Sequence, residues 1–211
     1  MNAARDPFDP GFEAAAADLA AALARLEGED AVSLPLLDRE TRRRSAAASA
    51  RLPFRTARPV IGEGAREVRQ DFEVCETIPD RTIFHILANK LEVLIEDALG
   101  RLDPRPLARP LRFNDLIVQR YPRGSFGITP HRDHVRYEGL VAILPLSGAA
   151  RFFVCADRAG REAREVPAPP GSLLLLRAPG FAGRRDRPFH FLRDVTRRRV
   201  SLGLRHDVRA N

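Results

Sequence analysis

Lysine is almost missing from this chain of 211 residues: Lys90 is the only one, and every other of the 35 basic residues is arginine. Tryptophan is absent, and there are one methionine, two tyrosines and two cysteines. The lysine-to-arginine imbalance has the look of a compositional habit. The net charge of +7 is therefore a weak pointer to nucleic acid by itself, the more so because 28 acidic residues are interleaved with the basic ones. Two cysteines, Cys75 and Cys155, are too few for a disulfide-built secreted scaffold. They fit a reducing compartment, where both are expected as small buried side chains. No run approaches the roughly 20 apolar residues that cross a bilayer. The opening "MNAARDPFDP" lacks a basic stretch followed by an apolar one. A cytoplasmic protein with no membrane partner is the expectation. A hydrophobic content of 44% argues against wholesale disorder, and the length suits a single domain, 1–211. The sequence is silent on oligomeric state, with a monomer favoured.

What is present divides near residue 112. Residues 12–27, "FEAAAADLAAALARLE", predict a helix capped by Gly28. Asp38 is placed to cap a second helix through "RETRRRSAAASA", its arginines on a solvated face. Residues 51–64 are punctuated by proline and glycine and read as loop. Over 81–99, Ile83, Leu87, Leu91, Leu94 and Ile95 recur at helical spacing, with Gly100 as the stop. Beyond residue 112 come short strand-like runs, among them "FNDLIVQRY", "GLVAILPL", "ARFFVCA", "REVP", "GSLLLLRA", "PFHFL" and "RVSLGLRHD", parted by turn signals. The predicted plan is α+β with a mainly β core: N-terminal helices over 1–111, packed on a jelly-roll or barrel-like core over 112–211.

The chemistry concentrates in "PHRDHVRYEGL", residues 130–140. Side chains alternate along an extended chain, so His131 and Asp133 share a side and His134 points away. A third ligand to the same metal must come from another strand. His190, in the apolar "RPFHFL", is the best candidate, and His206 is its rival. Two imidazoles and one carboxylate on one face of a metal leave the opposite face open, as in non-haem Fe(II) oxygenases. The last run supports this. In "RVSLGLR", Val200, Leu202 and Leu204 alternate with Arg199, Ser201, Gly203 and Arg205. The apolar face can pack on helices, while the polar one can line a cavity and hold a dicarboxylate on Arg199.

The order H-x-D, a distant histidine and R-x-S resembles the Fe(II)- and 2-oxoglutarate-dependent dioxygenases. Within them, "QRYPRGSFGITPHRDH…H…RRRVSLGLR" looks like the AlkB-type branch, over roughly residues 113–207. Tyr121 matches that branch's tyrosine, and Arg199 and Arg205 match its two arginines in spacing. Gln119 stands where asparagine is usual, and one extra residue separates Tyr121 from His131. The resemblance implies a double-stranded β-helix (jelly-roll) fold, with Fe(II) on His131, Asp133 and His190. It implies 2-oxoglutarate held by Arg199, Ser201, Tyr121, Gln119 and Arg205, and dioxygen as oxidant. Because Asp133 is present, it implies hydroxylation or oxidative demethylation rather than halogenation.

Other readings stay beside it. A cupin would use "HRDH" with Glu138, but "PPGSLLLL" lacks the histidine that the second cupin motif needs. The primary substrate is expected to be a small or amino-acid-like molecule. The alternative is a nucleic-acid base, with "RTARPVIGEGAREVRQDF" (55–72) as a substrate lid, although the N-terminal half holds no aromatic-basic cluster. A third possibility is a non-catalytic barrel that kept the scaffold.

Overall fold

The computed structural model describes residues 10–210. The rest of the N-terminal decapeptide read above lies outside them. In chain order the elements are α1 (Ala16–Leu26), β1 (Ala31–Pro35), α2 (Arg39–Ser49), β2 (Arg55–Thr56), β3 (Val60–Ile61), β4 (Val68–Arg69), β5 (Glu73–Cys75) and α3 (Ile83–Leu99). Then follow β6 (Asp115–Tyr121), β7 (Ile128–His131), β8 (Tyr137–Cys155), β9 (Arg164–Val166), β10 (Ser172–Arg177) and β11 (Phe189–Asp207). The mainly β core with a few helices is the predicted jelly roll.

Two long strands organise it. β8 and β11 pair antiparallel along almost their whole lengths, with register breaks between Arg193 and Ser201. The breaks bend both strands, so each serves two layers. One layer runs β1, β10, β8, β11, β6, β5, β2. In the other, β9 pairs with the second half of β8, and β7 with the first half of β11. "GLVAILPL" and "ARFFVCA" are thus a single strand, as are "PFHFL" and "RVSLGLRHD". At the bend, Gly148 has φ +85°, and a Cβ there would lie 2.1 Å from the Arg198 carbonyl oxygen. Only glycine lets the two backbones approach so closely.

The alternation read from "RVSLGLR" holds. Val200, Leu202 and Leu204 join Val118, Leu140, Ala142, Leu144, Leu173 and Leu175 in one cluster with Leu19, Leu23 and Leu26 of α1 and Leu87, Leu91 and Ile95 of α3. Each such leucine, taken fully out of water, contributes about 1.5–3 kcal/mol. The opposite face, with Arg199, Gly203 and Arg205, lines a cleft of about 910 Å³.

The helices form for the expected local reasons, but their ends differ from expectation. The Asp38 side chain accepts from the Thr41 N–H at 2.7 Å and caps α2. The buried face of α2 is polar: Thr41, Ser45 and Ser49, with the Thr41 hydroxyl accepting from the Gly11 N–H at 2.6 Å. α1 starts four residues later than residue 12, and its final turn is closed by Glu27 rather than Gly28. Gly100 ends α3 in right-handed geometry (φ −65°), so neither glycine acts through a left-handed cap. The N-terminal half also contributes strands. β1 extends the sheet beside β10, β5 pairs with β6, and the segment read as loop over 51–64 holds β2 and β3.

α3 also positions β6. Its Glu92 accepts the Phe113 N–H at 2.5 Å, and its Glu96 accepts the Leu111 N–H at 2.8 Å. Both carboxylates thereby tie down the chain just before the strand.

Candidate metal centre

β7 and β11 are antiparallel neighbours, and His131 and His190 stand directly opposite one another in their register. Directly opposed residues on adjacent strands share a face of the sheet, which brings the rings to 4.3 Å between centroids. Gly127 permits this approach: at φ +90°, a Cβ there would sit 1.9 Å from the Leu192 carbonyl oxygen. Asp133, two residues past His131, lies on the same side, with Oδ2 3.6 Å from His190 Nε2. One ligand atom from each of His131, Asp133 and His190 falls within 4.8 Å of the others, so the three can hold one metal ion.

The ring orientations suit that role. His131 Nδ1 lies 3.0 Å from the Thr129 carbonyl oxygen, and His190 Nδ1 lies 3.3 Å from that of Pro188. A carbonyl only accepts, so each Nδ1 carries the hydrogen and each Nε2 keeps its lone pair for the site. Phe152 stacks on His190 at 5.6 Å and limits its rotation. Burial, and then the charge on His190, push the His131 pKa down to about 3. It is neutral, as a ligand must be, across the ordinary range. Burial alone would raise the Asp133 carboxyl, but His190, Arg205 and His131 together hold it below the usual carboxylate range. It is ionised at neutral pH. Two imidazoles and one carboxylate are the donor set of a facial Fe(II) site.

Behind the triad, Arg199 is 3% exposed. Its Nη1 is 3.3 Å from Ser201 Oγ, and its Nη2 has no partner. Its guanidinium carbon lies 5.9 Å from the centre of the Tyr121 ring. Burial lowers its pKa, with no carboxylate to offset the cost. A buried guanidinium with an orphaned N–H, facing the same cleft as a three-ligand cluster, fits a carboxylate-bearing ligand. Cross-strand register puts Tyr121 opposite Arg199 and Gln119 opposite Ser201. Tyr121 is buried and its phenol pushed above the usual range by that burial. Gln119 lines the cleft.

Arg205 differs from the other predicted residues. It reaches Asp115 Oδ1 at 2.8 Å and stacks over Tyr137 at 4.6 Å, so it already has an anion. His134 is exposed, and its Nδ1 accepts from the Arg136 N–H at 3.2 Å. His206 lies against Arg112, apart from the triad, and Glu138 is exposed outside it. Sequence reasoning missed Asp115, Phe152 and Arg187, whose guanidinium donates to the Asp133 carbonyl oxygen. It also missed Arg177, buried and paired with Asp30 and Asp186, which ties down the loop leading into β11. None of these sits in a periodic or motif-like context that would single it out.

No protein-family model and no curated protein matches the chain. Solved structures do resemble it. An oxidoreductase of the 2OG-Fe(II) oxygenase family from Burkholderia pseudomallei is 21% identical, with a TM-score of 0.62 over 92% of this chain and 93% of that one. A prolyl hydroxylase from Trichoplax adhaerens, in complex with a hypoxia inducible factor peptide fragment, is 12% identical with a TM-score of 0.65 over 92% and 91%. A prolyl-4-hydroxylase from Pseudomonas putida is 17% identical with a TM-score of 0.61 over 89% and 98%. At these identities the likeness establishes the fold: the chain is a jelly roll of the kind seen in 2OG-Fe(II) oxygenases, with a cluster at its mouth that can hold a metal.

Proposed function

We propose that the chain is an Fe(II)- and 2-oxoglutarate-dependent dioxygenase that hydroxylates a small or amino-acid-like substrate. The observation that carries this is the pairing of a His131–Asp133–His190 cluster with the buried Arg199, whose Nη2 has no partner, on one cleft. When bound, iron and 2-oxoglutarate together with dioxygen supply the oxidising power for a C–H bond, with succinate and carbon dioxide as by-products.

The chain's own residues bind, orient and exclude. His131, Asp133 and His190 would hold the iron from one side and leave the cleft side open. Arg199 and Ser201 would hold the far carboxylate of 2-oxoglutarate, with Tyr121 and Gln119 beside it. Arg205 acts at one remove: paired with Asp115, it adds positive charge that keeps Asp133 ionised. Phe152, Phe191 and Leu192 line the same cleft and keep bulk water from the site. Ile61, Gly62, Arg66 and Val68 of the 55–72 segment form one wall of it, the place for a substrate lid.

Prolyl hydroxylases among the similar structures, one with a peptide fragment bound, favour an amino-acid-like substrate over a base. The AlkB-type reading, oxidative dealkylation of a nucleic-acid base, draws on the motif spacing and the arginine-rich cleft. Cys75 and Cys155 are free and buried, in keeping with a reducing cytoplasm as the proposed location. No described helix is long and apolar enough to cross a membrane.

The test is succinate formation from 2-oxoglutarate with added Fe(II). It is expected in the wild-type chain and absent in His131→Ala. A chain that binds neither iron nor 2-oxoglutarate would be a barrel without this chemistry.

A further inference from the structure

The cleft holds more positive charge than its own carboxylates balance. Nine arginines line it, against Glu76, Asp115, Asp133 and Asp207. Glu76 pairs with Arg55, Asp115 with Arg205 and Asp207 with Arg136, while Asp133 belongs to the triad. Apart from the inner Arg199, five of the lining arginines have no carboxylate partner among the described residues: Arg58, Arg66, Arg132, Arg158 and Arg187.

Three of these five gather around the triad from three different loops. Arg132 lies between His131 and Asp133 in sequence, Arg158 follows β8, and Arg187 precedes β11. Arg132 and Arg158 both stand over the ring of Phe189, at 4.0 and 5.6 Å from its centroid. Arg158 Nη1 donates to the Glu67 and Pro130 carbonyl oxygens, at 3.1 and 3.4 Å. Arg187 donates to the Asp133 carbonyl oxygen, and Arg132 is close enough to disfavour its charge. Each guanidinium is steadied on one side by a carbonyl or a ring, which fixes position without neutralising charge. Arg187 feels the Asp133 carboxylate of the triad, but like charges held near one another with no ion pair among the described residues form a site that an anion would stabilise. Arginine also presents the forked donors that carboxylate and phosphate accept in pairs.

We infer, on the dioxygenase reading above, that the primary substrate is a small molecule with its own anionic group, a carboxylate or a phosphate, bound by Arg132, Arg158 and Arg187 beside the metal centre. This site is distinct from the inner pocket of Arg199, which is walled by Ser201 and Tyr121. A nucleic-acid base fits less well. The aromatic residues lining the cleft, Phe72, Tyr121, Tyr137, Phe152 and Phe191, are all less than 9% exposed, which leaves no open ring face for a flipped base to stack on. A small anion needs only the guanidinium groups.

The test is calorimetric titration of the full chain, without added metal so that the probes have nothing to chelate. Pyrophosphate stands for the phosphate source and tricarballylate for the carboxylate source. The proteins are the wild type, Arg132→Gln/Arg158→Gln, the charge-keeping Arg132→Lys, and Arg39→Gln/Arg51→Gln, which removes two exposed arginines away from the cleft. At least one probe is expected to bind the wild type, tenfold or more weakly to the cleft double variant, and with little change to the other two. The tighter probe identifies the anionic group. Equal weakening in the Arg39/Arg51 control would reduce the effect to net charge and overturn the proposal. So would binding that survives the cleft double variant and disappears in Arg199→Met, or a single-stranded oligonucleotide that binds the cleft more tightly than both probes. Circular dichroism melting confirms that the variants fold. Succinate formation is measured separately on the wild type. Its absence with anion binding intact sinks the dioxygenase reading alone, and its presence without anion binding sinks the substrate assignment alone.

Discussion

Replacing Arg199 by methionine separates a residue kept for a ligand from one kept for the fold. Arg199 is 3% exposed, with one contact at 3.3 Å to Ser201 Oγ and an Nη2 that no protein atom accepts. Burying a charge without a counter-ion costs several kcal/mol. Methionine keeps the unbranched stem against Tyr121 and removes the charge. The ligand-free Arg199→Met chain is therefore expected to be as stable as the wild type, or more stable by about 1–3 kcal/mol. The ligand-bound state behaves in the opposite sense. Two charge-assisted hydrogen bonds to a carboxylate contribute about 1.5–3 kcal/mol each. Their loss weakens 2-oxoglutarate binding by roughly 10²- to 10⁴-fold, at 1.4 kcal/mol per tenfold. The assay is urea unfolding under anaerobic conditions with Fe(II), with and without 2-oxoglutarate. At a hundred times its Kd the ligand adds about 2.7 kcal/mol to the wild type, and at the same concentration it should add no more than about 0.4 kcal/mol to the variant. The reasoning is refuted if Arg199→Met destabilises the ligand-free chain by several kcal/mol while the increment from 2-oxoglutarate persists. The guanidinium would then be a brace for the sheet.

Two further outcomes follow from the site's surroundings. In the metal-free chain His131 titrates near pH 3, against about 6.5 when unfolded. Its contribution to stability is fully present above about pH 6.5 and is lost as pH falls toward 3, because the unfolded chain takes up a proton that the folded one refuses. Urea midpoints of wild type and His131→Gln should draw together through that window, and a constant difference would contradict the assignment. At the bend of β8, a Cβ on Gly148 would meet the Arg198 carbonyl oxygen at 2.1 Å and the Arg199 Cα at 2.5 Å, in a left-handed conformation. Gly148→Ala should cost more than about 3 kcal/mol in urea unfolding, left-handed strain alone accounting for about 1–2 of it. A cost under about 1 kcal/mol would mean that the bend is not set by this contact.

Much of the site was legible because it is written in short-range patterns. Alternation in "RVSLGLR" separated the helix-facing residues from the cleft-facing ones. H-x-D spacing put two candidate ligands on one side, an apolar strand context marked His190, and the motif order of the resembling family set it ahead of His206. What escaped depends on pairing between distant segments. β1 and β5 are short and hold their places only by lying beside β10 and β6. β8 and β11 each read as two strands because the bend at Gly148 and the register breaks facing it look like turns in a linear sequence. The ion pair of Arg205 escaped for the same reason. Its partner Asp115 begins β6, ninety residues earlier, and only the β6–β11 register joins them. Gly28 and Gly100 marked the right places for the wrong cause, since helix ends close in right-handed geometry wherever the next turn supplies its own hydrogen bonds.

The most direct measurement is anaerobic titration of Fe(II) into the wild type, His190→Ala and His206→Ala, followed by calorimetry. One tightly bound iron per chain is expected in the wild type and in His206→Ala, with binding lost or weakened at least a hundredfold in His190→Ala. Retention in His190→Ala with loss in His206→Ala would show that the two strands do not bring these side chains onto a common metal.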